Sequence, residues 1–451
     1  MSKKAFTVAK RPREESSVAH KEKIATEQKK QSSAAPQQQK AAASATSKIS
    51  APSPSSAVVR AETTSSSSSS QQRLPPALLV VGTYHSVMAG LALRSAGAPA
   101  GSNAAATALS KFFLKFSIKH HVGCVSGVAV CDRYIASCGT DERMFLFTVK
   151  DRGGQVADLG SLAPASEVRA LAFQGNQHLV CGCADGTVNV YRTRDWESVY
   201  AVQVHEKSVE SLALHPNGAL CITVGSDRFV SLMDMSSGKL ITKVKLPGNA
   251  ASGTPLQILF STDETAENFA VVLPYEVIVF DTRTAEIKCR VVIDKKPPHE
   301  IQAATFVVLP GTPSVTLLVG TESGSIYAVQ NVLGRLFKTD EESSVWPVVA
   351  VDLQNDKLSV VGVPEDIATT QAGVTDETRK KFPTKHATRV KTLSVLPGTT
   401  DVLVSADTNG ALLACRVAPR RADGVAGGLE LVYQCSANCQ GRVTSITGLS
   451  R

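Results

Sequence analysis

Histidine and aspartate recur in this chain at a repeated spacing, and a His–Asp pair can act as an acid–base dyad or as a structural hydrogen bond. Three histidines each lie four residues before a valine that opens a β-branched run, and three aspartates open polar turns. These residues are His121, Asp141, Asp185, His205, Asp227 and His386. Because the same offsets recur in different parts of the chain, we interpret them as structural elements of repeated turns and not as catalytic dyads.

Other patterns of reactive residues do not point to catalysis or to a cofactor. The sequence contains no GxxxxGK[ST], GxSxG, HExxH or EF-hand loop. His120 and His121 lack a third ligand at a suitable spacing, and a metal site needs three or four ligands. The ten cysteines are dilute, so we expect reduced, mostly buried thiols in a cytosolic or nuclear protein. We predict a protein that is not an enzyme and takes no cofactor, metal or small-molecule substrate.

Charge divides the chain into two parts. Residues 1–76 contain 13 Lys or Arg and five Glu, whereas residues 77–451 contain 35 basic and 35 acidic residues. The first part is rich in Ser, Ala and Gln, which predicts a disordered basic low-complexity tail. Lys10, Arg11 and Arg13 form a candidate nuclear localisation signal in it. The neutral second part argues against a nucleic-acid-binding field over the whole protein.

Neither a secretory signal nor a membrane span is expected. The first residues, MSKKAFTVAKRPREE, contain no apolar core of a signal peptide. No uninterrupted apolar run reaches the roughly 18 residues that a membrane helix requires. We therefore expect no membrane partner.

Short β-branched runs separated by turns fill residues 77–451 and predict an all-β domain. Runs that open at Val125, Val168 and Val209 are spaced 43 and 41 residues apart. A period of about 40–45 residues is typical of the four-stranded blade of a WD-repeat β-propeller. We predict seven blades, with an insertion at about residues 334–386 between the sixth and the seventh.

The two ends of the predicted propeller complement each other. The first blade lacks an innermost strand, and residues 442–449 read as an innermost strand with nothing after it. We therefore predict that the C-terminal strand closes the ring, and that truncation after Cys439 destabilises it. Within the insertion, either residues 345–351 or residues 358–363 are expected to supply the outer strand of blade six. Trp346 is either part of the core of that blade, which we favour because buried aromatic residues are the commoner case, or an anchor for a partner.

Whole blades of this chain resemble the WD-repeat ribosome-assembly factor named for "maintenance of killer", whose animal counterpart is called the PAK-interacting protein. The resemblance covers residues 78–300 and, more thinly, 386–449. The motifs that carry it are VVGTY (80–84), DRYIASCGTDE (132–142), ADGT (184–187) with DWE (195–197), HEKSV (205–209), HPNGA (215–219), VGSDR (224–228), FAVV (269–272) with VFDT (279–282), RVK (389–391) and RVTSI (442–446). The basic tail and the insertion lie outside the family core.

The resemblance implies a nuclear and nucleolar protein-interaction scaffold that takes part in biogenesis of the large ribosomal subunit and in rRNA processing. Its expected partners are ribosomal proteins and assembly factors of the large-subunit precursor, with pre-rRNA contacted through the basic tail. The alternatives are a WD-repeat adaptor in kinase signalling or in chromatin complexes, and an enzyme, for which no residue stands out.

Overall fold

A computed structural model describes most of the chain from Ala77 onward. The described residues are 77–95, 110–150, 155–248, 253–263, 265–293, 299–309, 315–332, 348–351, 356–358, 360–361, 386–419 and 429–450. The chain divides into two units, Met1–Ser68 and Ser69–Arg451, and every described residue belongs to the second. The predicted basic tail, Trp346 and most of the insertion lie outside the described residues.

The regular secondary structure of the described residues consists of β-strands, which form seven sheets in chain order. Blade one contains β1 (Ala77–Thr83), β2 (Met88–Ser95) and β3 (Ser110–Ile118). Blade two contains β4 (Val125–Val130), β5 (Tyr134–Gly139), β6 (Met144–Val149) and β7 (Val156–Leu162). Blade three contains β8 (Val168–Gln174), β9 (His178–Cys183), β10 (Thr187–Arg192) and β11 (Ser198–Gln203). Blade four contains β12 (Val209–Leu214), β13 (Leu220–Gly225), β14 (Phe229–Asp234) and β15 (Lys239–Lys245).

The second half of the ring follows the same plan with three added short strands. Blade five contains β16 (Gln257–Phe260), β17 (Asn268–Val272), β18 (Glu276–Asp281) and β19 (Ile287–Val292). Blade six contains β20 (Ile301–Val308), β21 (Val315–Thr321) and β22 (Ile326–Val329). The insertion contains β23 (Val348–Ala350), β24 (Lys357–Leu358) and β25 (Val360–Val361). Blade seven contains β26 (Val390–Val395), β27 (Val402–Asp407), β28 (Ala411–Pro419) and β29 (Leu429–Asn438), and the last strand is β30 (Val443–Ser450). The predicted seven-bladed β-propeller is confirmed.

The ring closes through its two ends. β30 pairs antiparallel with β1, from Ala77 opposite Ser450 to Thr83 opposite Val443, and it becomes the innermost strand of blade one. All seven residues of β1 are buried, because β2 and β30 cover the two edges of the strand and its two faces pack against blades seven and two. The predicted closure by the C-terminal strand is confirmed, and it removes an exposed sheet edge.

The insertion distributes its strands over three blades. β24 pairs with β22 and completes blade six, so Leu358, in the second of the two apolar runs considered, lies at that position. β23, from the first run, pairs parallel with β19 at the outer edge of blade five. β25 pairs parallel with β29 at the outer edge of blade seven. Each added strand thus satisfies backbone groups that an outer edge would otherwise leave unpaired.

The hydrophobic core lies between neighbouring blades. Each of the seven buried apolar clusters combines residues of two consecutive blades, and one of them joins blade seven to blade one. The valine that opens an innermost strand fits against a glycine of the preceding blade: a β-carbon at Gly182 would lie 2.6 Å from Val209 Cγ1, and one at Gly320 would lie 2.7 Å from Val390 Cγ1. Stability therefore depends on all blades being in register around the ring. No helix in the described parts of the chain has the length and apolar character needed to cross a membrane.

Candidate functional site

The first histidine of the repeat lies beside a turn of blade two. His121, in the loop before β4, places Nδ1 2.9 Å from Asp141 Oδ1 and Nε2 3.0 Å from Ser137 Oγ. The backbone N–H of Val122 also donates to Asp141, over 3.0 Å. Because a carboxylate only accepts hydrogen bonds, Nδ1 carries a proton and donates a hydrogen bond to Asp141, and in the neutral imidazole Nε2 accepts from the Ser137 hydroxyl.

The second histidine repeats this arrangement in blade four. His205 Nδ1 lies 3.0 Å from Asp227 Oδ1, and His205 Nε2 lies 2.9 Å from Thr223 Oγ1. The backbone N–H groups of Glu206 and Phe229 donate to Asp227 over 3.1 and 3.2 Å. A single carboxylate therefore joins the loop before β12 to the turn between β13 and β14.

Glycine makes room for both His–Asp pairs. A β-carbon at Gly139 would lie 2.6 Å from His121 Nδ1, and one at Gly225 would lie 2.6 Å from both His205 Nδ1 and Asp227 Oδ1. Each glycine ends the second strand of its blade. Any larger residue would collide with the imidazole, so the histidine or the glycine strand would have to shift.

The third histidine has an acidic neighbour that the sequence reading did not assign to it. His386 Nε2 lies 2.7 Å from Ser405 Oγ, and His386 Nδ1 lies 3.7 Å from Asp407 Oδ2, which is longer than a hydrogen bond. The Asp407 carboxylate instead accepts the backbone N–H groups of Asn409 and Ala411, each over 2.9 Å. Asp407 itself ends the second strand of blade seven, at the position where blades two and four have glycine.

Asp185 lies in the corresponding turn of blade three without a histidine. Its exposed carboxylate accepts hydrogen bonds from the backbone N–H of Thr187, over 3.0 Å, and from the Thr187 hydroxyl, over 2.6 Å. Pro164 occupies the offset at which the other blades carry histidine. Of the six predicted turn residues, five thus belong to the three histidine sites, and Asp185 forms a local turn.

Sequence reasoning missed the hydroxyl residue of each histidine site. Ser137, Thr223 and Ser405 all stand two positions before the last residue of the second strand of their blade. Blade three, which lacks the histidine, has Cys181 there. The sequence did contain a signal for these partners, because each blade with a histidine has a hydroxyl residue at the same position of its second strand.

The hydrogen-bonded sequence Asp–His–Ser/Thr is also that of a catalytic triad with a hydroxyl nucleophile. Whether these sites could be catalytic depends on whether a substrate can reach the hydroxyl. The three hydroxyl residues are at most 2% exposed and lie within β-strands. No substrate could approach their oxygen atoms without opening the blade. We propose that all three sites hold turns, as the repeated offsets suggested.

Electrostatics in blade four favour a neutral imidazole against an ionised carboxylate. Burial lowers the pKa of His205, and the opposing attraction of Asp227 does not compensate for it. Burial by itself would raise the pKa of Asp227, but its interaction with His205 and the backbone N–H groups that it accepts hold the pKa below its ordinary value. At neutral pH the hydrogen bond therefore joins a neutral His205 to an ionised Asp227, and neither group changes its protonation state.

A second feature lies at the axis of the propeller. In six blades the register of the innermost strand skips its second residue, which forms a β-bulge. The bulged residues, here called the bulge ring, are Ser126, Arg169, Glu210, Gln302, Lys391 and Thr444. The residue before each of them is buried, whereas all six are partly or largely exposed. The innermost strands of a propeller line its central channel, and each bulge lies at the start of its strand. Because a bulge redirects its side chain, we place these six residues around one mouth of the channel, next to the loops that carry the histidines.

Neighbouring members of the bulge ring join the blades to one another. The Thr444 hydroxyl donates to the Val125 carbonyl over 2.6 Å, and the Ser126 hydroxyl donates to the Val168 carbonyl over 3.2 Å. Arg169 lies 3.5 Å from Glu210 of the next blade. The bulge ring thus combines structural links with charged groups that face solvent.

The cysteines and the metal-ligating residues do not form a further site among the described residues. All ten cysteines are free thiols, and eight of them are buried. Burial raises the pKa of Cys138 to about 12, so its thiol is not a nucleophile at neutral pH. The described residues contain no group of three or more His, Cys, Asp or Glu side chains that could hold a metal.

Comparisons with known proteins agree with the fold and with the resemblance. The model of the WD domain, G-beta repeat, matches residues 158–192, and the model of the anaphase-promoting complex subunit 4 WD40 domain matches residues 177–253. The chain is 26% identical to "p21-activated protein kinase-interacting protein 1-like" of Xenopus laevis over 231 residues, which cover 51% of this chain and 56% of the frog protein.

Two fungal relatives extend the comparison. The chain is 24% identical to "Protein MAK11" of Saccharomyces cerevisiae over 225 residues, which cover 47% of this chain and 53% of the yeast protein. It is 30% identical to "Shk1 kinase-binding protein 15" of Schizosaccharomyces pombe over 123 residues, which cover 26% of this chain and 35% of that protein. The matched stretch spans about half the length of the frog and budding-yeast relatives. The predicted resemblance is confirmed, and the WD-repeat propeller together with these names points to a protein-interaction role.

Proposed function

We propose that this protein is a non-catalytic scaffold in the biogenesis of the large ribosomal subunit. The observation that carries the proposal is the similarity of the blades to Protein MAK11 and to the PAK-interacting relatives, with the ribosome-assembly role that the resemblance implies. The closed ring supports it, because seven inter-blade clusters make a rigid body that can present several loops to different partners at once.

The proposed partners are ribosomal proteins and assembly factors of the large-subunit precursor, in the nucleus and nucleolus. The propeller from residue 77 onward has equal numbers of acidic and basic residues, so protein surfaces of mixed polarity suit it better than a nucleic-acid backbone. We assign contact with pre-rRNA to residues 1–76, which hold the entire basic excess and the candidate localisation residues Lys10, Arg11 and Arg13.

Co-sedimentation tests the proposed function. A tagged full-length chain, expressed in its own cells, should sediment on a sucrose gradient with precursors of the large subunit and should accumulate in nucleoli. A salt wash of the particles distinguishes protein that is stably bound to them from protein that is only loosely associated. Protein found exclusively in the free fractions at the top of the gradient would contradict the proposal.

Deletion of residues 1–76 separates the role of the tail from that of the propeller. We expect the shortened chain to lose most of its salt-sensitive affinity for RNA, because counterion release scales with the number of basic contacts. Far-UV circular dichroism should remain that of a β protein. RNA affinity that stays unchanged, with the same slope against salt concentration, would show that the tail is not the RNA-binding element.

A second candidate function is a WD-repeat adaptor in kinase signalling. The observation that favours it is the kinase-binding role printed in the names of the frog and fission-yeast relatives. Affinity purification from nuclear extract followed by mass spectrometry distinguishes the two candidates. Ribosomal proteins and assembly factors as main partners support the first, and a kinase without them supports the second.

A further inference from the structure

Three cationic side chains lie where blade seven meets blade one at the channel mouth. Arg389 and Lys391 stand on either side of the buried Val390 at the start of β26, and Arg442 precedes the buried Val443 at the start of β30. We call Arg389, Lys391 and Arg442 the basic sector. All three side chains are exposed to solvent.

The protein compensates this charge only weakly. Arg389 has a distant carboxylate partner in Glu322, at 3.8 Å. Among the described residues, Lys391 and Arg442 have no carboxylate within ion-pair distance, and the Arg442 guanidinium lies over the ring of Tyr84, 5.4 Å from its centre. Partial burial of its ammonium group lowers the pKa of Lys391, and the like charges of Arg389 and Arg442 lower it further. An anion placed among them would relieve this repulsion.

The opposite side of the channel mouth differs in charge. Arg169 lies 3.7 Å from Glu167 and 3.5 Å from Glu210, so its charge is balanced by carboxylates. Carboxylates also lie beside the basic sector, in the neighbouring blade six: Glu300 accepts the hydroxyl of Tyr275 over 2.7 Å, and its carbonyl accepts the N–H of Glu322, the partner of Arg389. A long polyanion that crossed the mouth would meet these acidic groups, whereas a short acidic segment can bind Lys391 and Arg442 without reaching them. The charge pattern therefore favours an acidic peptide over RNA.

Exposed apolar side chains border the basic sector. Tyr84, which carries Arg442 on its ring, is 54% exposed, and Val122, in the loop before β4, is 91% exposed. The Thr444 hydroxyl, two residues after Arg442, donates to the carbonyl of Val125, three residues after Val122, which places this loop beside the start of β30. Cationic and apolar groups side by side suit a segment in which acidic and apolar residues alternate.

We propose that the basic sector binds a short acidic peptide segment of a partner protein, with its carboxylates on Lys391 and Arg442 and an apolar side chain against Tyr84. The inference rests on the proposed scaffold function and specifies the chemical class of one partner. It places the contact at the junction of blades seven and one, which exists only because β30 closes the ring.

Fluorescence anisotropy with the full-length chain tests the inference. The probe is a fluorescein-labelled ten-residue peptide in which glutamate alternates with valine, and its control has glutamine in place of glutamate. We expect Lys391→Glu to weaken binding of the acidic peptide about tenfold, and the glutamine peptide to bind about tenfold more weakly than the acidic one. Lys245→Glu makes the same charge change on the outer strand β15 and should leave the affinity as it is.

Two further measurements guard against a misfolded variant and against binding elsewhere. A double variant, Lys391→Glu with Arg442→Glu, should bind a lysine version of the peptide more tightly than the unmodified protein does, a gain that unfolding cannot produce. A photo-crosslinking version of the acidic peptide should attach near Tyr84 or Val122. Equal affinities of Lys391→Glu and Lys245→Glu, or crosslinks confined to residues 1–76, would overturn the inference.

The outcome separates this inference from the scaffold function. If the acidic peptide fails to bind while the protein still sediments with large-subunit precursors, the basic sector is not the docking site and the scaffold function stands. If the peptide binds as expected but the protein never sediments with those precursors, the peptide site stands and the ribosomal role is wrong. Displacement of the peptide by single-stranded RNA at equal affinity would show a general polyanion site and would also overturn the inference.

Discussion

Replacing Asp227 by alanine should destabilise the protein far more than the same change at Asp185. Asp227 accepts hydrogen bonds from His205 Nδ1 and from the backbone N–H groups of Glu206 and Phe229. Its side chain is only 5% exposed. Asp185 stands in the equivalent turn of blade three, but it is exposed, and among the described residues its carboxylate accepts hydrogen bonds only from Thr187.

The magnitude follows from these partners. A hydrogen bond to a charged group contributes about 1.5–3 kcal/mol, and a buried donor left without an acceptor adds about 1–3 kcal/mol. Because the contributions are not additive, we expect Asp227→Ala to lower the free energy of unfolding by about 3 kcal/mol. The exposed Asp185 turn should lose about 0.5–1 kcal/mol, because water replaces its hydrogen bonds.

Urea denaturation followed by circular dichroism measures both values. The midpoint should fall clearly for Asp227→Ala and little for Asp185→Ala, with the same slope against urea. The double variant His205→Ala with Asp227→Ala should be only slightly less stable than Asp227→Ala, because both changes disrupt one hydrogen-bonded unit. Equal losses for the two aspartate variants would refute the structural role that we propose for the histidine sites.

Other perturbations test the pH response, the ring closure and the thiols. The free energy of unfolding should decrease as the pH falls below 6.5, because the folded pKa of His205 lies below that ordinary value and the unfolded chain takes up the proton first; His205→Ala should flatten this part of a pH–urea series. Acid should remove a further contribution as the pH falls through the folded pKa of Asp227, which lies below its ordinary 3.8. Gly448→Ala should lower the free energy of unfolding by about 1–3 kcal/mol in urea, because its β-carbon would lie 2.7 Å from a proline ring of blade seven. In the control Gly441→Ala, the new β-carbon would lie 3.6 Å from its nearest neighbour, so the free energy of unfolding should change by about 0.5 kcal/mol or less. Equal losses of stability for the two glycine variants would contradict tight packing at the ring closure. In Ellman titration of the native protein, the partly exposed Cys124 should react before the buried thiols, and rapid reaction of most thiols would show that the blades are not packed as described.

Much of the architecture could be predicted because its causes are local. Alternating β-branched runs specify strands, and the offset from His121 or His205 to the following valine repeats within single blades. Strand counting was enough for the ring closure, since a first blade short of one strand and a final strand without a blade leave a single solution.

Contacts between distant segments could not be predicted from these local signals. The three short strands of the insertion join three different blades, and which free edge each of them meets depends on how the blades are spaced around the ring. The neighbour of His386 was missed because Asp407 ends a strand and does not open the following polar turn. The bulge ring was missed because a register shift between strands leaves no pattern in either strand alone.

The sequence by itself determined the number of blades, the strand that closes the ring, and the neutral charge of residues 77–451. Only the tertiary structure decided that Lys391 and Arg442, which lie in different blades, stand together at one mouth of the channel. The physical reason is that repeat spacing depends on contacts within one blade, whereas a surface at the channel mouth depends on how the blades pack around a common axis. Hydrophobic packing between blades sets that arrangement, and the charges at the mouth follow from it.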